Sequence, residues 1–345
     1  MAFEERIVVV GASAGGISSL KALVAGLPAG FPGALFVVLH IPPDSVSTLP
    51  AILSSAGPLP ATHARDGETI QPGRIYVAPP DHHLLIDDDR VGVKKGPKEN
   101  RFRPSVDALF RSAAYSAGPR VIGVVLSGAL DDGTSGLWTV KRLCGIAIVQ
   151  RPEEAAFDSM PLSALKQVAI DYSVAAAEIG PLVAKLATSP LSETPEVAVD
   201  EQNRLKTEVS IAGNGDAFPK GIMGMGDLTP FTCPECHGVL VTLAEGGMDR
   251  FRCHTGHAYT ASALLAGVMQ AIGEGYYKVM RALEEATMLL DHMGRHFVDE
   301  DQPETAELFF NKAREASQRS RWLHDATLAH EHVSGDNLRN AARQQ

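Results

Sequence analysis

Four cysteines in 345 residues, Cys144, Cys233, Cys236 and Cys253, are too few for a disulfide-stapled scaffold. Three of them fall in one short segment, which points to a metal site in a reducing compartment. Positive charge is also scarce. Against 41 Asp and Glu stand 31 Lys and Arg, a formal net charge of −10, so nucleic acid is not an expected partner. The start, "MAFEERIVVV", puts Glu4 and Glu5 where a secretion signal carries positive charge, and its apolar run is too short for a signal or a membrane span. A cytoplasmic protein without membrane insertion is expected. Internal repeats and long low-complexity tracts are lacking. What remains is ordinary for a soluble globular protein, 45% hydrophobic and 21% charged, and long enough for two domains.

Short Val/Ile/Leu runs mark the first part of the chain: "RIVVVG", "ALFVVLH", "RIYVAP", "VIGVVLSG" and "GIAIVQ". Such runs read as strands buried on both faces. Between them lie the helical patterns "ISSLKALVAGL", "PSVDALFRSAAYSAG", "TSGLWTVKRL" and "PLSALKQVA". The alternation predicts an α/β fold with a mostly parallel, doubly wound sheet. "HHLLIDDDRVGVKKG" predicts a β-hairpin on the sheet edge. The apolar pattern stops near Ser189, and 190–230 is expected to be a linker with a short ordered piece around Val197 to Ile211. A Cys/His module follows at 231–260. A helical hairpin is expected over 261–335, with Leu264, Val268, Ile272, Val279 and Leu283 on one stripe and Pro303 opening the second helix. Its stripe is expected to pack within the hairpin, with partner binding or self-association as the second reading. Residues 336–345 are expected to be a flexible tail.

The turn "GASAGG" after the first strand has three readings. A dinucleotide loop needs a glycine where Ser13 stands, and an acidic residue at the end of the second strand, which instead ends in His40. A plain tight turn is possible for any small residues. The third reading is a nucleophile elbow, because Gly11 to Gly15 fits G-x-S-x-G. A serine hydroxyl needs a base, and neighbouring parallel strands would bring His40 to the same edge, roughly 5 Å away. A triad also needs an acid from another strand end. "VIGVVLSGALDDGTSG" offers Asp131 and Asp132, between which this chemistry does not choose. Their other reading is capping of the helix that follows.

Taken together, "GASAGG", "LHIPP", "DGETIQPGRIYVAPPDHHL", "RFRPSVDALF", "LSGALDDGTSG" and "FDSMP" resemble the catalytic domain of the chemotaxis-type protein-glutamate methylesterases, the CheB family, over roughly Arg6 to Ala187. The resemblance implies a Ser-His-Asp triad of Ser13, His40 and Asp132, the second aspartate. It also implies an oxyanion hole from the backbone N–H groups of Ala14 and Ala129. Where family members often carry Met-Gly, this chain has Ala129-Leu130. The implied reaction is hydrolysis of γ-glutamyl methyl esters on chemoreceptors, and some members deamidate glutamines by the same acyl chemistry. Arg101 and Arg103 are candidates for steering an acidic receptor segment; alternatively, Pro104 and Ser105 open a helix and both arginines are solvated. The best-known members carry an N-terminal receiver domain, which this sequence lacks, so control is expected from the C-terminal extension, a partner or expression.

Cys233, Cys236, Cys253 and His257 follow C-x2-C-x16-C-x3-H, the spacing of a tetrahedral Zn²⁺ site built on a hairpin. Four protein ligands close such a site, so a structural metal is expected, with no cofactor for catalysis. His237 and His254 are rival ligands, each directly after a cysteine. Arg250 and Arg252 against Glu235, Glu245 and Asp249 favour docking or scaffolding over nucleic acid. Cys144 reads as a small core residue. The sequence thus predicts a serine esterase, with a non-catalytic signalling scaffold as the alternative.

Overall fold

The computed structural model describes residues 4–194 and 196–328. The expected tail at 336–345 and the last residues of the expected hairpin, 329–335, lie outside the described residues. The chain divides into two compact units, residues 1–264 and 265–345.

The first unit opens as the alternating pattern requires: β1 (Ile7–Ala12), α1 (Gly16–Ala25), β2 (Ala34–Leu39), α2 (Leu49–Ala56), β3 (Ala61–His63) and β4 (Ile75–Val77). After the hairpin β5 (His83–Asp87) and β6 (Arg90–Lys94) come α3 (Val106–Ala117), β7 (Val121–Val125) and α4 (Thr134–Arg142). β8 (Ile146–Gln150), α5 (Ser159–Gln167), β9 (Tyr172–Val174) and α6 (Ala176–Ala187) complete the α/β part. Seven strands form one sheet in the order β3-β4-β2-β1-β7-β8-β9, every pair parallel.

All six residues of β1 are buried because helices cover both faces. Ile7 and Val9 pack with Leu109, Phe110 and Leu137 on one side, and Val8 and Val10 with Leu20, Leu23 and Val183 on the other. That is the period of two expected of a strand, and each such valine contributes about 1.5–3 kcal/mol through its burial. From β1 the chain winds outward through β2, then returns to place β7 on the other side of β1. The crevice at the carboxyl ends of β1, β2 and β7 is therefore the topological switch point, where open α/β sheets bind ligands.

The β5–β6 hairpin is a separate two-stranded antiparallel sheet rather than an added strand of the main one. Its Leu84, Ile86 and Val91 join the core beneath α3, and Gly67 N–H reaches the Val91 carbonyl at 2.8 Å.

The short ordered piece expected around Val197 to Ile211 within the linker is a helix. α7 (Val199–Asn214) is a four-turn helix with Leu205, Glu208, Ile211 and Ala212 buried. Four antiparallel strands follow in sequence order: β10 (Asp227–Thr232), β11 (Val239–Glu245), β12 (Met248–Cys253) and β13 (Ala258–Thr260). A buried cluster of charges helps fasten this ribbon to the α/β part. Glu99 and Arg111 from the α/β part, Glu208 from α7, and Glu245, Arg250 and Arg252 from the ribbon are all buried together. Arg111 meets Glu99 at 2.8 Å, Arg252 meets Glu99 at 2.7 Å, and Arg250 meets Glu208 at 2.7 Å and Glu245 at 2.6 Å. Three carboxylates balance three guanidinium groups, which is what burial of charge demands.

α8 (Ala261–Asp299) starts in this unit, where Ala263 and Leu264 complete the ribbon core. From residue 265 onward α8 and α9 (Pro303–Leu328) form the second unit. Phe297 stacks on Phe309 with ring centroids 5.0 Å apart, and Ala306, Ala313, Ala316 and Ser320 give α9 a small-residue buried stripe. Val268, Ile272 and Val279 of α8 stay exposed. Among the described residues no helix is long and apolar enough to cross a membrane.

Candidate active site

Ser13 follows β1 directly. Its N–H donates to the Ser127 carbonyl at 3.0 Å, and its carbonyl accepts the Gly16 N–H at 2.9 Å, closing a turn into α1. Gly15 caps that helix at φ 71, where an added Cβ would lie 2.6 Å from the Ala156 Cβ, so both conformation and space require glycine. Gly128, after β7, lies against Ser13: a Cβ there would be 2.9 Å from the Ser13 Cβ and 2.0 Å from Met160 Sδ. That contact brings the Ala129 end of the β7 loop to the serine turn.

His40 follows β2, its N–H bonded to the Ala12 carbonyl at 3.2 Å. Nδ1 is 3.1 Å from Ser13 Oγ and Nε2 is 2.8 Å from Asp132 Oδ2. A carboxylate only accepts, so Nε2 carries the proton and Nδ1 offers its lone pair to the serine hydroxyl. Phe102 stacks on the imidazole, with centroids 3.7 Å apart and planes within 8°. This ring fixes the histidine's plane and shields it from water.

Asp132 is buried and richly supplied with donors. Oδ2 accepts from Val106 N–H at 2.8 Å, and Oδ1 from Asn100 Nδ2 at 2.9 Å, Ser105 Oγ at 2.9 Å and Gly133 N–H at 3.1 Å. The Val106 and Asp107 N–H groups open α3, so the carboxylate also meets the positive end of that helix. Burial alone would raise its pKa, but the bonds from His40, Asn100 and Val106 outweigh that and hold it below the usual range. The capping role considered from the sequence thus falls on α3, not on the helix that follows the aspartate. Burial pushes the His83 imidazole down, so it stays neutral, accepting Ser105 N–H at Nδ1 and donating from Nε2 to the Pro97 carbonyl.

Of the two aspartates, the structure brings Asp132 to His40, while Asp131 accepts the Thr260 hydroxyl at 2.7 Å. Arg103 is fastened to Asp81 (2.6 Å) and to the Gly96 carbonyl (2.8 Å). Arg101 takes a left-handed backbone, φ 76, beside Phe102. The sequence reading missed Asn100, Phe102 and Ser105. Only Ser105 carried a signal, a serine ahead of a helical pattern, and its hydroxyl serves Asp132 instead of its own helix.

A profile of the CheB methylesterases matches residues 8–183, just over half of the chain. The chain belongs to the CheB methylesterase family. This family comprises carboxylic-ester hydrolases. A putative protein-glutamate methylesterase/protein-glutamine glutaminase of Leptospira interrogans is 36% identical over 187 residues, 54% of this chain and 97% of that protein. Protein-glutamate methylesterase/protein-glutamine glutaminase 3 of Anaeromyxobacter dehalogenans is 42% identical over 158 residues, 45% of this chain and 46% of its own length. The crystal structure of the Thermotoga maritima CheB methylesterase catalytic domain superposes with a TM-score of 0.51 at 34% identity, covering 53% of this chain and 98% of that one.

Beyond the region matched to CheB methylesterases, Cys233, Cys236, Cys253 and His257 converge, with ligand atoms all within 4.8 Å of one another. Cys236 Sγ and Cys253 Sγ are 3.6 Å apart, and His257 Nδ1 is 3.6 Å from both Cys233 Sγ and Cys253 Sγ. Zn–S bonds of about 2.3 Å at tetrahedral angles put sulfurs about 3.8 Å apart, so the group fits a metal of that size. His237 and His254 are not in the group. Cys144 is half-buried at the end of α4, its N–H bonded to the Lys141 carbonyl at 3.0 Å.

Proposed function

We propose that this chain is a protein-glutamate methylesterase that hydrolyses γ-glutamyl methyl esters on chemoreceptors through Ser13, His40 and Asp132. The hydrogen-bonded line Ser13 Oγ–His40–Asp132 at the switch point of the sheet carries this reading. Ser13 Oγ attacks the ester carbonyl as its proton passes to His40 Nδ1. The carbonyl oxygen becomes an oxyanion, stabilised by the backbone N–H groups of Ala14 and Ala129. Asp132 stabilises the imidazolium and keeps its ring in register. His40 then protonates the departing methoxide, which leaves as methanol, and the acyl group stays on Ser13. Water attacks that ester with His40 again as base, freeing the glutamate carboxylate and restoring the serine. A glutamine side chain enters the same cycle with ammonia as the leaving group.

Arg101 and Arg103 are proposed to steer an acidic receptor segment, with Asp81 offsetting part of the charge of Arg103. The Cys₃His group is proposed to hold a structural Zn²⁺, with all four positions taken by protein, which would free no position for substrate. Residues 1–189 would carry the chemistry, with 231–260 and the helices from 261 as regulatory or docking parts, in the cytoplasm.

Treatment with a fluorophosphonate tests the nucleophile. One adduct is expected, on Ser13, and absent from a folded Ser13→Ala variant. A folded wild-type chain that takes no label would contradict this reading and favour a scaffold.

A further inference from the structure

The ribbon is built into the surroundings of Asp132. β13 starts directly after His257, and one of its faces and its outer edge have different neighbours. On one face the buried Tyr259 brings its hydroxyl to 3.2 Å from Cys233 Sγ, against the Cys₃His group. Its outer edge meets the segment ahead of α3. There the Ala258 carbonyl accepts Asn100 N–H at 2.7 Å, and Ala258 N–H donates to the Lys98 carbonyl at 3.2 Å. Thr260 N–H donates to Asn100 Oδ1 at 2.9 Å, and the Thr260 hydroxyl donates to Asp131. Asn100 passes this hold onward, since its Nδ2 donates to Asp132 Oδ1 at 2.9 Å and to Asp107 Oδ2 at 2.7 Å.

Both polar atoms of the Asn100 amide are engaged, its oxygen on the ribbon and its nitrogen on the two aspartates. Its backbone takes φ 51, a left-handed conformation that asparagine tolerates better than most residues. Asn100 is buried, so withdrawal of Thr260 N–H would strand its carbonyl without a partner. The line from ligand to catalytic acid is short: His257, three residues of strand, one amide side chain, Asp132.

We propose that Asn100 and Thr260 are positioning residues for ester hydrolysis, and that a metal ion on Cys233, Cys236, Cys253 and His257 governs turnover through them. The bound ion fixes β13, β13 fixes Asn100, and Asn100 holds Asp132 against His40 Nε2. The proposal rests on reading Ser13, His40 and Asp132 as the triad and the Cys₃His group as a zinc site. Its occupancy then supplies a control on the esterase that leaves Ser13 itself untouched.

The test uses the full chain, loaded with Zn²⁺, stripped with 1,10-phenanthroline and reloaded. One readout is kcat and KM for methanol release from methylated receptor membranes. The other is the downfield proton NMR signal of His40 Nε2–H donated to Asp132, assigned with His40→Gln. Stripping is expected to lower kcat about tenfold with KM within about twofold. The His40 signal should broaden or vanish, and Zn²⁺ should restore both. Asn100→Ala at full metal content should show the same loss, and stripping should then lower kcat no further. Should that variant fail to fold, Cys236→Ser serves, its kcat and His40 signal rising with added Zn²⁺. A stripped chain that keeps wild-type kcat and an unchanged signal overturns the proposal, as does Cys236→Ser indifferent to Zn²⁺. If the loaded wild type releases no methanol, the esterase reading fails by itself. The His40 signal then still decides whether the metal holds Asp132 in place.

Discussion

At the scale of single residues, the two adjacent aspartates make the sharpest contrast. Asp132 accepts from His40, Asn100, Ser105 and three backbone N–H groups, every one of them a donor. Asp132→Asn would turn an N–H₂ group toward donors and favour the wrong tautomer of His40, so kcat for methanol release is expected to fall by about 10,000-fold. Asp131→Asn keeps an oxygen for the Thr260 hydroxyl and is expected to stay within about tenfold of wild type. The opposite ranking would break the assignment of the acid. Ser13, His40 and the Asp131-Asp132 pair were legible in the sequence because each follows a buried β-branched run, and such runs announce where a strand ends. Asn100 and Phe102 were not. They lie in an aperiodic stretch between a hairpin and a helix, and the partner that orients Asn100 is 160 residues away.

At the scale of elements, α7 shows how a helix with little apolar period reads in the sequence only as a short ordered piece. Few apolar side chains hold it down, and its central buried residue is Glu208, placed among three arginines. Burial would raise that carboxyl, but Arg250, Arg111 and Arg252 outweigh it and bring it down to about 2. Glu99 is likewise held well below the usual range, burial being outweighed by Arg111, Arg252 and Arg250. A carboxyl whose folded value lies below its ordinary 4.5 contributes stability above that pH and loses it as pH falls toward the folded value. Glu208→Gln leaves the guanidinium groups in excess and is expected to cost about 3–5 kcal/mol at neutral pH. Urea unfolding should show that loss shrinking toward about pH 2. An equal loss at both ends of that range would show that the ion pairs are not what the variant removes. The parallel strands and their helices were legible by contrast, because burial on both faces writes itself as unbroken Val, Ile and Leu.

At the scale of the whole molecule, the ribbon read as a separate module from its ligand spacing, and that spacing does mark its strands. What spacing could not convey is where the module docks. Its docking surface includes Arg250, Arg252 and Glu245, residues that look solvated in a sequence and are buried in the fold. Metal analysis of the purified full chain is expected to find about one equivalent of Zn²⁺, and a metal-free chain with the same ribbon fold would contradict a zinc site. The central claim, hydrolysis of receptor glutamyl methyl esters by Ser13, has a direct measurement: methanol released from methylated receptor membranes by wild type and by Ser13→Ala, with circular dichroism of both. The account predicts release by the wild type and none above background from an equally folded Ser13→Ala. Undiminished release by the variant would contradict it.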